Sequence, residues 1–357
     1  MRVIVIGAGV IGAAVAEELA ARGAHVSVVD MRSPGRGATQ ASAGLLAPYN
    51  EAQYHPALLD LCTKSLDLYD DFIRRLRDRT AQPIEYSRDG TLDVALNAEE
   101  ADRLATLREW LTSHGVASEW LDTNALRERE PSVTSAAAAG LRIPVHGFVG
   151  ATSLTKALVQ AARLQGAEFE SPLSALRVEP LGAEVEVRAD ERRLLADAVV
   201  IAAGSWSSRV KIAGHPALPV KPIRGQLIQL TWSGETLPRW PVWGSRVYTV
   251  PWQPDTLLVG ATVEDVGFDE RSTVAGVHDL LAGVGELLPG SWQAAIADIR
   301  IGLRPSTADG MPLIGPLSSD SRIRLATGHY RNGILLAPLT ARMIADDILG
   351  AETPRRS

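Results

Sequence analysis

An α/β fold is predicted for this chain: a dinucleotide-type parallel sheet built from discontinuous segments, joined to a β-rich (α+β) module. Three observations predict it. The chain opens on an apolar, β-branched run, Val3–Ile6, which leads through a glycine-rich turn into a helical pattern. Further strand-then-turn segments of this type occur at mid-chain, where 195–202 ends in Ala202-Ala203-Gly204, and near the end, where strand Arg322–Thr327 precedes the last helix. Between them, from Ile223 to Val263, the pattern turns β-rich. Strands that are apolar throughout suit a parallel sheet covered on both faces.

Taken in order, Val3–Ile6 is the first strand. Ile11, Val15 and Leu19 recur at i, i+4 and i+8, one stripe of a helix that Gly23 closes. His25–Val29 forms the next strand and ends at Asp30, giving a βαβ unit. Leu58–Arg77 has helical periodicity, and Ile84–Leu96 reads as strands around Arg88-Asp89-Gly90. Ala98–Ser113 and Val149–Gln165 read as helices, Glu184–Val187 and Leu195–Ala202 as strands. In the β-rich part the strands are Gln226–Trp232, Arg246–Val250 and Leu257–Ala261. Ser272–Leu288 returns to helix, and Ile334–Leu349 is the last one. Pro338 sits in its first turns, where a missing N–H matters least, and Gly350 stops it. Residues 354–357 form a polar tail. The expected dinucleotide-binding domain comprises 1–82, 145–222 and 299–357. The substrate-binding domain comprises 83–144 and 223–298.

The chain has 357 residues, 46% apolar and 22% charged, which suits two globular domains. Its net charge of −6 implies no basic face for nucleic acid. The basic stretch at Arg74, Arg75, Arg77 and Arg79 is interleaved with Asp78 and preceded by Asp70 and Asp71, a solvated helix face. Cys62 is the single cysteine, which fits a reducing cytosol, and no Cys/His metal cluster is visible. The uncharged run from Val3 to Ala16 imitates a signal peptide, but it is shorter than the ~20 residues a bilayer span needs. Its glycine spacing also has an explanation within the fold. A cytoplasmic protein with no membrane partner is expected.

Gly7-Ala8-Gly9-Val10-Ile11-Gly12 is GxGxxG. Gly7 permits the tight turn, Gly9 leaves room for a pyrophosphate, and Gly12 lets the helix pack closely on the strand. Phosphates are then met by free N–H groups at a helix N-terminus. Asp30 stands at the end of the second strand, where an acid holds a ribose hydroxyl. It argues for FAD or NAD, since it would repel the 2′-phosphate of NADP despite the nearby Arg32. The motif does not choose between the two.

Four further segments do. Residues 36–46, RGATQASAGLL, resemble the stretch lying along pyrophosphate and flavin in the D-amino-acid oxidase superfamily. Lys221-Pro222-Ile223-Arg224-Gly225-Gln226 resembles that superfamily's PxRGQ element. Gly302-Leu303-Arg304-Pro305, with Asp309-Gly310, Pro312 and Gly315, resembles its GLRP…DG.P.IG element. Gly328-His329-Tyr330-Arg331-Asn332-Gly333-Ile334 resembles its turn before the last helix. The likeness spans essentially the whole chain and is nearest to the glycine-oxidase branch. It implies a Rossmann-type FAD-binding domain, a small amino-acid substrate and O2 as acceptor. Expected cofactor contacts are Gly7, Gly9, Val10, Ile11 and Gly12 at the turn, then Asp30, Met31 and Arg32. Thr39, Ala43, Gly44 and Leu45 follow, then Gly204 and Trp206, and finally Arg304, Arg331, Asn332, Gly333 and Ile334. The last helix would direct its positive end at the flavin.

The same resemblance gives Arg304 the substrate carboxylate, in the planar, forked geometry that arginine supplies. It gives Tyr248 a hydrogen bond to that carboxylate and places Arg331 at the pocket near the flavin. It implies that hydride passes from the substrate Cα to flavin N5, that the imine hydrolyses in water, and that O2 leaves as H2O2. No catalytic residue beyond the flavin is required, and His329 reads as a turn residue. Strand alternation puts Arg246 on the face of Tyr248. Arg246 replaces a histidine usual in the branch, and Val263 a larger, methionine-like residue. Together they suggest a pocket enlarged for an N-substituted glycine or a second carboxylate, as in an oxidase cleaving N-carboxymethyl amino acids. Cys62 does not match the C-terminal cysteine that holds flavin in the sarcosine-oxidase branch, so noncovalent FAD is expected. A dehydrogenase of the same fold using a quinone, an NAD(P) dehydrogenase and a flavin-binding sensor stay open as alternatives. A homo-oligomer is compatible with the family.

Overall fold

The computed structural model describes residues 1–233 and 236–351, so the polar tail at 354–357 lies outside the described residues. The apolar opening run forms strand Arg2–Ile6 at the centre of a six-stranded sheet. Its parallel neighbours are His25–Val29 on one side and Ala198–Ile201 on the other. Glu168–Glu170 extends one edge, and the antiparallel pair Asp320–Thr327 and Leu313–Leu317 completes the other. Helices Val10–Ala21, Ala151–Leu164 and Gly333–Leu349 pack together in one core with these strands. Val10–Ala21 is apolar nearly all round and buried along its length, because strand and neighbouring helices cover it on every side.

The β-rich module forms an eight-stranded sheet from residues 91–143 and 221–306. Lys221–Thr231 and Ala295–Ser306 pair along nearly their whole length. This ribbon runs through the expected boundaries at 222/223 and 298/299, so neither boundary falls between elements.

Several elements differ from the sequence reading. The helix expected over 58–77 is two helices, Pro56–Asp67 and Tyr69–Arg79, because the chain tightens where Leu68 N bonds Ser65 O. The run 195–202 is divided at Asp197. Residues 192–196 pair antiparallel with Glu184–Ala189 in a separate four-stranded sheet and 198–201 belong to the parallel one, and Asp197 takes the N–H of Arg2 at the crossing. The strands flanking Arg88-Asp89-Gly90 do not pair with each other: Tyr86–Ser87 joins Gly147–Val149, and Thr91–Ala95 joins Ala139–Ile143. Strand Tyr248–Gln253 begins two residues later than the alternation pattern suggests, after a turn closed by Gly244 N and Val247 O.

Candidate active site

A single cavity runs from the glycine turn to the face of the eight-stranded sheet. Gly7 has φ +108°, and a side chain there would strike Ala202 O at 2.4 Å. Gly12 does not line the cavity: a Cβ there would lie 1.8 Å from Gly7 O, so its part is to let helix and strand approach. Gly9, Val10 and Ile11 do line it, at the start of helix Val10–Ala21. Thr39 Oγ1 accepts the N–H of Val10 at 3.1 Å and ties the 38–41 turn to that helix end. Gly44, at φ +75°, passes so close to Val149 O that no side chain fits.

Asp30 is fixed by two backbone donors, Ala8 N at 2.6 Å and Arg32 N at 2.8 Å. Burial raises its pKa, and those two bonds oppose the rise. The Arg32 guanidinium forms a forked pair with Glu270, at 2.8 and 2.6 Å, and lies 4.5 Å over the Trp206 ring. Arg32 is therefore engaged by a carboxylate and a ring. Met31, Ala43, Leu45 and Gly204 line the same cavity. Sequence reasoning missed its wall at Leu173, Ser174 and Leu176, residues that lead into and begin strand Ala175–Leu181 and carry no motif.

These features fit a dinucleotide. A backbone groove is kept clear of Cβ atoms, a helix opens onto it, and an oriented carboxylate stands at the end of the second strand. The residues that would hold FAD are those of the glycine turn, Asp30, the 37–45 segment and the start of the last helix.

At the far end the structure brings together Tyr248, Arg304 and Arg331. Arg304 lies in the long strand Ala295–Ser306, and its guanidinium rests over Gly225, where a Cβ would fall 2.3 Å from Nη2. Nη1 donates to Thr262 O at 2.9 Å. That carbonyl belongs to a segment held by buried Arg224, which pairs with Glu264 and Asp269. Gln226 adds bonds to Glu264 and Thr273. The RGQ motif thus builds the floor beneath Arg304. Glu264, held near 2 despite burial by bonds from Arg224, Gln226 and Thr262, is the partner that sequence reasoning missed.

The Tyr248 ring packs over Gly260 and lies 5.1 Å from Trp243, centroid to centroid. Burial raises its pKa against the opposing pull of Arg304 and Arg331, which leaves a neutral hydroxyl donor. Arg331 donates to both oxygens of Glu51, at 2.6 and 2.8 Å. Burial disfavours its charge, but Glu51 outweighs that and raises its pKa. Glu51 closes the one-turn helix Pro48–Glu51, lines the cavity and was not singled out from sequence. Asn332, Gly333 and Ile334 follow at the start of the last helix. His329 is buried, held near 3 by burial, and bonds Thr340 at 3.0 Å. It is a neutral structural turn residue that also touches the cavity.

Two expected pocket residues are placed elsewhere. Arg246 precedes the strand, is exposed, and sits 3.7 Å from Glu286. Val263 is 56% exposed and does not line the cavity. Residue 246 belongs to the turn before strand Tyr248–Gln253, so strand alternation does not set it beside Tyr248.

Among the described residues no cluster of His, Cys, Asp or Glu could hold a metal ion, and no helix is long and apolar enough to cross a membrane. The family model for FAD dependent oxidoreductases (DAO) matches residues 2–347. A glycine oxidase of Geobacillus kaustophilus is 33% identical over 98% of this chain and 93% of its own length. The crystal structure of glycine oxidase from that organism superposes with a TM-score of 0.93, covering 99% of this chain and 96% of the other. A bifunctional protein ThiO/ThiG of Nostoc sp. is 34% identical over 97% of this chain, which spans only 52% of that longer relative. Taken with the cavity's geometry, these matches mean that the chain belongs to the DAO family of FAD-dependent oxidoreductases.

Proposed function

We propose that this enzyme oxidatively deaminates glycine or a small N-substituted glycine, with water releasing glyoxylate and ammonia or amine, and O2 reduced to H2O2. The observation that carries the proposal is the convergence of Arg304 and Tyr248 at the end of the cavity remote from the glycine turn. Arg304 spends Nη1 on the Thr262 carbonyl, which leaves donors for a carboxylate. The neutral Tyr248 hydroxyl donates to the same group. A substrate so anchored offers its Cα–H to the cofactor with its carboxylate fixed. When bound, here noncovalently, FAD supplies the two-electron acceptor for the amine. Glycine oxidases of similar length and structure support the reading.

The site's charge favours one carboxylate over two. Arg331 is already matched by Glu51, and Arg246 stands outside the cavity. An N-carboxymethyl substrate would have to displace Glu51 from a forked pair. Glycine and sarcosine are therefore expected to outrank iminodiacetate, measured as peroxide release with matched glyoxylate formation. A preference for iminodiacetate would overturn this ranking. In Glu51→Gln the charge of Arg331 loses its carboxylate. The kcat/KM ratio of iminodiacetate to glycine is expected to rise about tenfold, the worth of one charge-assisted contact of ~1.4 kcal/mol. The melting temperature is expected to fall, because a part-buried cation is left unpaired. An unchanged ratio would remove Glu51 from substrate selection.

A further inference from the structure

The helix turn that carries Glu51 also carries Asn50, and Asn50 meets a second buried carboxyl group. Asp93 lies in strand Thr91–Ala95, registered beside Leu141 on one side and Trp243 on the other. It is 8% exposed. Its Oδ1 accepts a hydrogen bond from Asn50 Nδ2 at 2.7 Å. The other atom of each group, Asp93 Oδ2 and Asn50 Oδ1, is buried with no partner. Two oxygens left over on one amide–acid pair are what a single missing proton would join. An ionised carboxylate would leave both unsatisfied, at a cost burial makes large. A protonated one donates Oδ2–H to Asn50 Oδ1 and closes a planar ring of two hydrogen bonds.

We propose that Asp93 is held protonated and pairs with Asn50 as a cyclic acid–amide couple that fixes the Pro48–Glu51 turn, making Asp93 a positioning residue for Glu51 and, through it, for Arg331. The role rests on the substrate reading above. The surroundings agree. Burial raises Asp93 to about 7, opposed only by the Asn50 bond. His146, bonded through Nδ1 to Thr91 Oγ1 at 2.9 Å, is held near 3 by burial and is neutral. Tyr49, stacked on His146, has its pKa raised by burial and then by Asp67. Helix Ala98–Ser113 contributes Leu104, Leu107, Trp110 and Leu111 to the apolar cluster over Leu141, while its Glu99 and Glu100 pair with Arg103. Arg142, on the neighbouring strand, pairs with Glu119. Arg88, whose charge also holds His146 down and which lies 3.9 Å from Asp70, and the Glu51–Arg331 pair are further charged groups on this side.

The test uses holoenzyme of the wild type, Asp93→Asn, Asp93→Leu and Asn50→Ala, with glycine KM and kcat measured across pH ~6 to 9, a range that brackets the raised carboxyl. In the wild type KM is expected to rise several-fold as pH passes about 7, with kcat nearly constant. Asp93→Asn offers an amide N–H where the acid offered O–H, so its KM should stay low and flat. Asp93→Leu and Asn50→Ala should have a raised KM at every pH. Stability gives a second readout. A folded-state pKa above the unfolded value means the native chain keeps a proton the unfolded chain releases, so stability falls as pH rises towards 7. Asp93→Asn should therefore gain melting temperature over the wild type as pH increases. Infrared titration of the holoenzyme should show a protonated carboxyl band that Asp93→Asn lacks. If glycine is not turned over by any variant, the substrate reading fails while the infrared and melting tests still decide the couple. A wild-type-like KM profile in Asp93→Asn, or no such infrared band, would overturn the proposal.

Discussion

Replacing Arg304 with leucine is expected to lower kcat/KM for glycine by about 10²- to 10⁴-fold while flavin stays bound. Hydrogen bonds to a charged group are worth ~1.5–3 kcal/mol each, and a forked arginine makes two; each ~1.4 kcal/mol is a factor of ten. The loss should appear in kcat as well as KM, because a carboxylate no longer held leaves Cα–H unpositioned. Arg304→Lys should fall between, since it keeps the charge and loses the fork. Steady-state peroxide release, normalised to flavin absorbance, checks all three. Arg304 is also among the expected cofactor contacts and lines the same cavity, so colourless Arg304→Leu protein would mean that its main part is to hold the cofactor.

The second large effect belongs to the glycine turn, where two glycines should fail differently. In Gly12→Ala the new methyl would lie 1.8 Å from Gly7 O, backbone against backbone. Helix Val10–Ala21 must then retreat from the strand, and such overpacking costs at least ~1–3 kcal/mol. The protein should lose melting temperature and purify colourless. In Gly9→Ala the methyl would meet Thr39 Oγ1 at 3.4 Å, a contact the protein alone tolerates. That variant should fold normally and bind FAD weakly, because the methyl takes space left for a pyrophosphate. Thermal melts with and without added FAD separate the two. Equal melts for Gly9→Ala and Gly12→Ala would contradict the division of labour.

What the sequence made legible follows from how local each constraint is. The glycine turn is local: two close backbone approaches, at Gly7 and Gly12, and the open space at Gly9 fall within six residues, all visible as missing side chains. The last helix is likewise bounded by Gly333 and Gly350 in the chain itself. Arg304 was legible only through its resemblance to a family motif, since its partners Thr262 and Gly225 lie far away along the chain. Glu51 was not legible: 280 residues separate it from Arg331, and an acid in a one-turn helix has no periodic signal. Asp93 was not singled out from sequence either, since only the fold sets Asn50 against it. Arg246 was misplaced by a two-residue error in a strand start, which exchanges a sheet position for an exposed turn.

The most direct test of the account mixes the purified holoenzyme anaerobically with glycine, sarcosine, D-alanine and N-carboxymethyl amino acids, and follows flavin absorbance before air is admitted. The account predicts bleaching by glycine and sarcosine, and return of the yellow colour in air with one peroxide per flavin reduced. Absence of bleaching by any of these amines would contradict it. The chain would then remain an FAD-dependent oxidoreductase with this fold and a different substrate.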